Sequence, residues 1–589
     1  LDAGSGDITL DDAGNDFAGT VHLAGGAASI ADANALALGA VDVASLEATS
    51  HGDLGLGSGN IAGELTARSN GGDIGQSGAL AVGGTGTLDA ADGAIMLDEA
   101  GNDFAGLVHL AGGAVSIVDA NALALGDVDV ASLAVTSHGD LGLGRGTIAG
   151  DLAARSNGGA IGQSGGLRVE GESSLAAGAG AVTLEDEDNT FVGAVDVAGT
   201  GIAMTNGTDL LITSLDNRGG AVSLVADGDL TLPTHAIDTG AADLRLAALG
   251  GALSAGGALS GGEVSLRGRD GIGIGGGVTA LGTLALRSDG AVTRAGGVLT
   301  AQVLTGQVAG AAMLGDGNAI SELGAFSAGE LELGTTGPLA VTGPVDGGNR
   351  LALAVGGDLA IQEQVSADMM RLDADGAIGL EGKGRIMAGT LSGSAGGATT
   401  LGTRDRFVDN QVAVLGDFTS HAGFSMTNVG TLTLAAVGES EYSIDAGTAV
   451  TYLSIVDGDL LQEGTTPIRN GTGFYASTGH IGLLEAPIHV IVVEQQTVEF
   501  IGLPPAYFYA TRADGTLLPV IGTNAVNVPV SVISSRVQRS SQGELEYVDL
   551  GADASGYRAY GIVQPGIRMP DDQRPECDPD FPDPECIDA

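Results

Sequence analysis

From Gly93 onward the chain reads as short alternating runs: AIML, LVHL, AVSIV, LALGDVDV, LAVTS, DLGLG, IAGDLAARS and LRVEG. Apolar and polar side chains alternate with a period of two, the signature of a strand with one face turned in and one turned out. Gly, Asn, Asp or Ser separates most runs, and Gly, Asn and Asp tolerate the positive φ that tight turns need. No stretch in the first four hundred residues shows a sustained helical period with caps, and no proline precedes Pro233. The pattern predicts an all-β chain of many very short strands.

These runs recur. AGNDFAG occupies Ala13 to Gly19 and again Ala100 to Gly106, an offset of 87. TSHGDLGLG at Thr49 returns at Thr136, and ARSNGG at Ala67 returns at Ala154, each at the same offset. A third, decayed copy places Asn189 and Phe191 at 87 beyond Asn102 and Phe104. The register then drifts: GDL at Gly52 reappears at Gly228, an offset of 176 instead of 174.

Many short strands admit a sandwich, a propeller or a solenoid. Tight turns and abundant Ala and Gly suit a narrow, stacked interior, so a solenoid fits best. With roughly 20–25 residues per coil, one 87-residue unit is about four coils, and about twenty coils at ~4.8 Å would give a rod on the order of 100 Å long. Within a coil, Asn15, Asn102 and Asn189 read as tight corners whose side-chain amides bond turn backbone. Phe17, Phe104 and Phe191 then plug those corners. His22 and His109 recur with the repeat, as do His51 and His138, which makes them part of the fold's surface pattern and not a metal cluster.

All eight tyrosines lie at or beyond Tyr442, and eleven of the fifteen prolines at or beyond Pro487. The expected organisation is therefore β-helix repeats over 1–300, divergent coils over 301–440, a β-rich capping region over 441–562, and a Pro/Asp-rich tail over 563–589. Within the third region VPVSVISSRVQ and GELEYVDLG read as a hairpin, and Pro504–Pro505 as a turn. Such an end covers the unpaired strand edges of a final coil.

Charge narrows the partners. The chain carries 73 acidic and 23 basic residues, a formal net charge of −50, and Lys383 is its one lysine. That field repels nucleic acid and anionic lipid. No run of about 18 apolar residues is present to form a spanning helix. The chain begins at Leu1 without Met or a signal-like start, which reads as a piece of a longer product.

Candidate chemistry is sparse. GIGIGG at Gly271 to Gly276 matches a dinucleotide fingerprint but lies in Gly-rich strand-turn repeats with no following helix. DADG at Asp373 to Gly376 fails as a calcium loop, because the first ligand position would be Arg371 and the last Gly382. Acids are spread through turns without a convergent cluster, and no Ser–His–Asp or Cys–His arrangement emerges, so neither catalysis nor a cofactor is expected. NGT at Asn206 and Asn470 reads as surface turns. Both cysteines, Cys577 and Cys586, sit in the tail around DPDFPDPE and read as one local disulfide. It forms either a small rigid knob or a leftover bridge.

The GNDF-x-G-x-V units, with neighbouring GG-x-V-S-I and DANALALG phrases, resemble the filamentous-haemagglutinin-like exoproteins of two-partner secretion. The resemblance covers residues 1–300 clearly and 300–440 loosely. The pair Cys577 and Cys586 resembles the C-terminal anchor of the high-molecular-weight adhesin subgroup. The resemblance implies a right-handed parallel β-helix of Gram-negative origin, exported through an outer-membrane β-barrel partner. It also implies a disulfide loop that tethers the protein at that transporter, and adhesion to an unidentified host-cell, matrix or bacterial surface. The secretion domain of such families is absent from this sequence, and Arg267-Gly268-Arg269-Asp270 is not an Arg-Gly-Asp motif. The alternatives are a carbohydrate-active parallel β-helix enzyme and a contact-dependent toxin-delivery stick. The latter needs a globular C-terminal toxin, for which the tail leaves no room.

Overall fold

The computed structural model describes residues 1–515, except 439, 477, 484–485, 494–497 and 502–505, and beyond them the strand residues 520–523, 532–533, 536–539 and 545–548. All regular structure among the described residues is β-strand. The chain divides into two compact units, residues 1–336 and 337–589.

In the first unit the backbone winds in coils, and each coil pairs in parallel with the next. Coil length varies: the turn that brings Leu107 beside Ala124 is a short one, and the turn that brings Leu230 beside Leu253 a long one. Strands fall on three faces. One face runs Ala28, Leu46, Leu65, Gly86, Val108. The next runs Leu36, Leu54, Ile74, Ile95, Val115. The third runs Val43, Ile61, Val82, Phe104. Because inward positions recur at every second residue, similar side chains stack from coil to coil. Leu36, Leu54, Ile74, Ile95, Val115, Leu133 and Leu152 form one such column, each at most 3% exposed. Each buried aliphatic side chain contributes roughly 1.5–3 kcal/mol of transfer free energy.

The 87-residue repeat does not close on a whole number of coils. Four coils carry the chain from Ala28 to Val108 on one face. The repeat mate of Ala28 is Val115, which lies beyond Val108 and belongs to the next face. The same shift moves Ile61 on the third face to Ile148 on the first, where it pairs with Val169. One unit therefore spans four coils and a third, and equivalent residues of successive copies look out of successive faces. The expectation of about four coils missed this fraction.

Part of the acidity has a place in this scheme. Corner carboxylates accept an N–H of the coil stacked on them, as Asp53 does from Asp73 (3.0 Å), Asp73 from Ala94 (2.8 Å), Asp140 from Ala160 (2.8 Å) and Asp229 from Ala252 (2.7 Å). Each satisfies a backbone donor that the turn withholds from the strand ladder.

In the second unit coil length rises in the middle and falls again, as the compact turn from Ile488 to Phe508 shows. The turn from Leu359 to Ile378 is compact, whereas the later turn from Leu432 to Leu460 takes in a much longer loop. Aromatic side chains enter the core of this unit: Phe418 meets Phe424 at 5.1 Å between ring centroids, and Phe474 meets Phe508 at 5.4 Å. Parallel pairing continues through Ile488–Val492 against Phe508–Arg512, Val498–Ile501 against Val520–Thr523, and Ala506–Tyr507 against Val532–Ile533. Arg536–Arg539 and Leu545–Val548 pair antiparallel, joining the end of the first of the two runs read as a hairpin, extended by Arg539, to the second.

Candidate functional site

Asn102 is fully buried at a corner and ties three coils together. Its Oδ1 accepts the Leu80 N–H at 2.9 Å, while Nδ2 donates to the Leu97 carbonyl (3.0 Å) and the Val118 carbonyl (3.2 Å). Asn189 repeats the arrangement with Leu167, Leu184 and Thr205. Phe104 and Phe191 follow, each 1% exposed. The Phe104 N–H donates to Asp119 Oδ2 and the Phe191 N–H to Asn206 Oδ1, both at 2.7 Å. In the first copy Asn15 and Phe17 are only half-buried. There Asn15 donates to the Leu10 and Ala31 carbonyls. The fold thus joins Asn and Phe within a copy and separates the copies: Phe104 pairs with Val82 on one face, Phe191 with Val169 on the next.

The recurring histidines do separate work. Between Val108 and Leu110 the register against Leu123–Ser137 slips by one residue, a β-bulge at Gly126–Asp127. A bulge leaves one N–H outside the ladder. Here that donor is Asp127 N–H, and His109 Nδ1 accepts it at 3.0 Å. The first copy has the same slip, with Ala40 N–H donating to His22 Nδ1 at 2.9 Å. An imidazole accepting at Nδ1 carries its neutral-form proton on Nε2. The ring packs against Gly126, where a Cβ would approach it to 2.5 Å. His51 and His138 differ: their Nδ1 atoms lie 3.2 and 3.0 Å from the Asp32 and Asp119 carbonyls, which calls for the Nδ1–H form.

The bulged strand floors an open groove of about 800 Å³ that crosses six adjacent coils, from Thr87 to Asp188. Thr87, His109, Asp127, Asp129, Arg145 and Arg168 line it. Asp127 stands directly opposite Arg145, whose Nε donates to Oδ1 at 2.7 Å. That hydrogen bond and the guanidinium charge hold the Asp127 carboxyl below the usual carboxylate range. A second groove, around His22, Asp42, Ser58 and Asn60, occupies the equivalent positions of the preceding copy. Where the second copy has Asp127 and Arg145, the first has Ala40 and Ser58, also directly opposite each other. Sequence reasoning passed over this groove. The available signal was that coupled change at two positions, one coil apart.

The remaining candidates fall as follows. Gly271–Ile274 is a strand between Ala252–Ala255 and Ala291–Arg294. Asp373 binds Arg371 and Ser394. Among the described residues no three His, Cys, Asp or Glu side chains gather as a metal site. Asn470 sits in a turn and Gly207–Thr208 in a bend, but the Asn206 and Asn470 side chains are buried, at 0% and 4% exposure, and not at the surface as expected. Pro504–Pro505, the 563–589 tail and the pair Cys577 and Cys586 lie outside the described residues.

A family model described as repeats of unknown function (DUF5649) matches residues 1–24, 46–111 and 132–198. The last two stretches lie one repeat apart, and both bulged segments fall between the matches. No curated protein and no solved structure matches the chain.

Proposed function

We propose that this chain is a β-solenoid stalk of a surface-exposed or secreted adhesin. In this reading it is exported by two-partner secretion and retained at its outer-membrane transporter through the tail bearing Cys577 and Cys586. One observation carries the reading: the copies keep apolar inward columns and change the chemistry of an outward pair, as Ala40–Ser58 becomes Asp127–Arg145. A scaffold held constant while its surface diversifies suits display more than a fixed reaction. The resemblance to haemagglutinin-type exoproteins supplies the route of export.

The test is expression with a partner transporter in a non-adherent bacterial host. Adhesion to epithelial cells or to other bacteria should rise above the vector control, and Cys577→Ser with Cys586→Ser should release the chain into the medium. Absence of adhesion, or unchanged retention of the double variant, would count against the stalk and the anchor respectively.

A second reading, a carbohydrate-active enzyme, draws on the groove, where His109 contacts Asp127, and Asp129 also lines the wall. Release of reducing ends from a polysaccharide panel, lost in Asp129→Asn, would favour it.

A further inference from the structure

Positive charge is scarce in this protein, yet Arg245, Arg267 and Arg287 gather on one face of the first unit. Arg267 and Arg287 stand directly opposite each other on adjacent coils. Arg245 lies one coil earlier, opposite Ser265. All three are exposed. Among the described residues none has a carboxylate within ion-pair distance. The nearby acids are engaged elsewhere: Glu263 Oε2 accepts the Thr283 N–H at 2.9 Å, and Asp289 faces Arg269 at 4.0 Å.

Like charges directly opposite one another destabilise a sheet. With 73 acidic residues available, an unrelieved arginine pair is a local exception to the chain's composition. Two guanidinium forks one coil apart, about 4.8 Å, suit an oxyanion that takes hydrogen bonds from both. Ser265, Thr305 and Gln307 flank the pair on the same face and offer neutral hydrogen-bonding groups.

The charge of the whole molecule selects the ligand. A net charge of −50 repels a dense polyanion and a second copy of the chain alike. Screening over about 8 Å at physiological salt leaves the arginines effective only at contact. We infer that Arg267 and Arg287 form a binding site for a single oxyanion, a carboxylate or a sulfate ester, carried on an otherwise neutral glycan. The glycan rests on the adhesin reading; the oxyanion rests on the arginines.

The experiment is a binding titration of the purified chain with 3′-sialyllactose, 3′-sulfated lactose, lactose and a heparin tetrasaccharide. One or both acidic lactoses should bind, more weakly as salt rises, and lactose should not. Arg267→Gln with Arg287→Gln should weaken binding by about tenfold or more, the loss expected for hydrogen bonds to a charged group. Arg269→Gln, altering the arginine that faces Asp289, should leave it unchanged. Without ligand the double variant should melt no lower than the parent, since a repulsion is removed. The site is overturned if neither acidic lactose binds or if the double variant binds as well as the parent. It is also overturned if lactose binds equally, if heparin binds more tightly, or if the arginines instead prove to drive self-association in sedimentation. Adhesion by displayed cells separates the two proposals. A displayed double variant that still adheres, with a parent that binds no acidic lactose, overturns this site alone. A purified chain that binds acidic lactose while displayed cells fail to adhere overturns the stalk and keeps the site.

Discussion

The side-chain amides of Gln76 and Asn102 exchange two hydrogen bonds, Gln76 Nε2 to Asn102 Oδ1 at 2.7 Å and Asn102 Nδ2 to Gln76 Oε1 at 3.0 Å. Gln163 and Asn189 repeat the exchange one unit later, at 2.7 and 2.9 Å. Together with the backbone bonds of Asn102, it locks a corner to the coil before it. Asn102→Ala should cost on the order of 3 kcal/mol locally, because it strands the Leu80 N–H and two buried carbonyls. In a solenoid the damage stays near the altered coil. Hydrogen exchange should therefore accelerate at Leu80 and its stacked neighbours while distant coils keep their protection.

Phe104→Ala should cost about 3–5 kcal/mol, as expected for an aromatic side chain removed from a core. Phe17→Ala should cost far less, because Phe17 is already half-exposed. Urea unfolding of the two variants, followed by a probe in the first hundred residues, checks the order.

Asp119 gives a pH dependence of known sign. Burial raises its carboxyl above the ordinary aspartate range, against the hydrogen bonds from Phe104 and Asn121 that lower it, while Asp103 raises it further and His138 lowers it. The folded state thus holds the proton more tightly than the unfolded state. Stability at this site is greatest below the ordinary carboxyl range and falls as pH rises through the window up to the raised value. Asp119→Asn should flatten that slope in melting temperature against pH. The third copy already carries Asn206 at the equivalent position, accepting the same kind of N–H from Phe191.

His109→Ala should leave the Asp127 N–H of the bulge without its acceptor. The site is partly open to water, so the cost should be only about 1 kcal/mol. The specific signature is faster exchange of the Asp127 amide, which a variant of exposed Asp129 should not show.

The all-β coiled architecture was legible in the chain because alternation and turn residues are local signals. The fraction of a coil was not. LALGDVDV reads as one run, yet Leu123–Ala124 and Asp127–Val130 lie on different faces, with the corner and the bulge at Gly126 between them. Leu107–Asp119 likewise crosses a corner at Gly112–Gly113 as one continuous strand. At Gly126 only register across coils reveals the corner, whereas the paired glycines between LVHL and AVSIV already mark the one at Gly112–Gly113. The histidine at each bulge was visible as a recurrence, but its acceptor role depends on a one-residue slip that no spacing in the sequence discloses.

A repeat of four coils and a third makes copy number a matter of direction. Duplicating or deleting one 87-residue unit within such a stack would swing every downstream surface to the neighbouring side, and three such events would bring it back into line. Recombination between copies can therefore turn a ligand-facing surface away from its target without altering one residue of that surface.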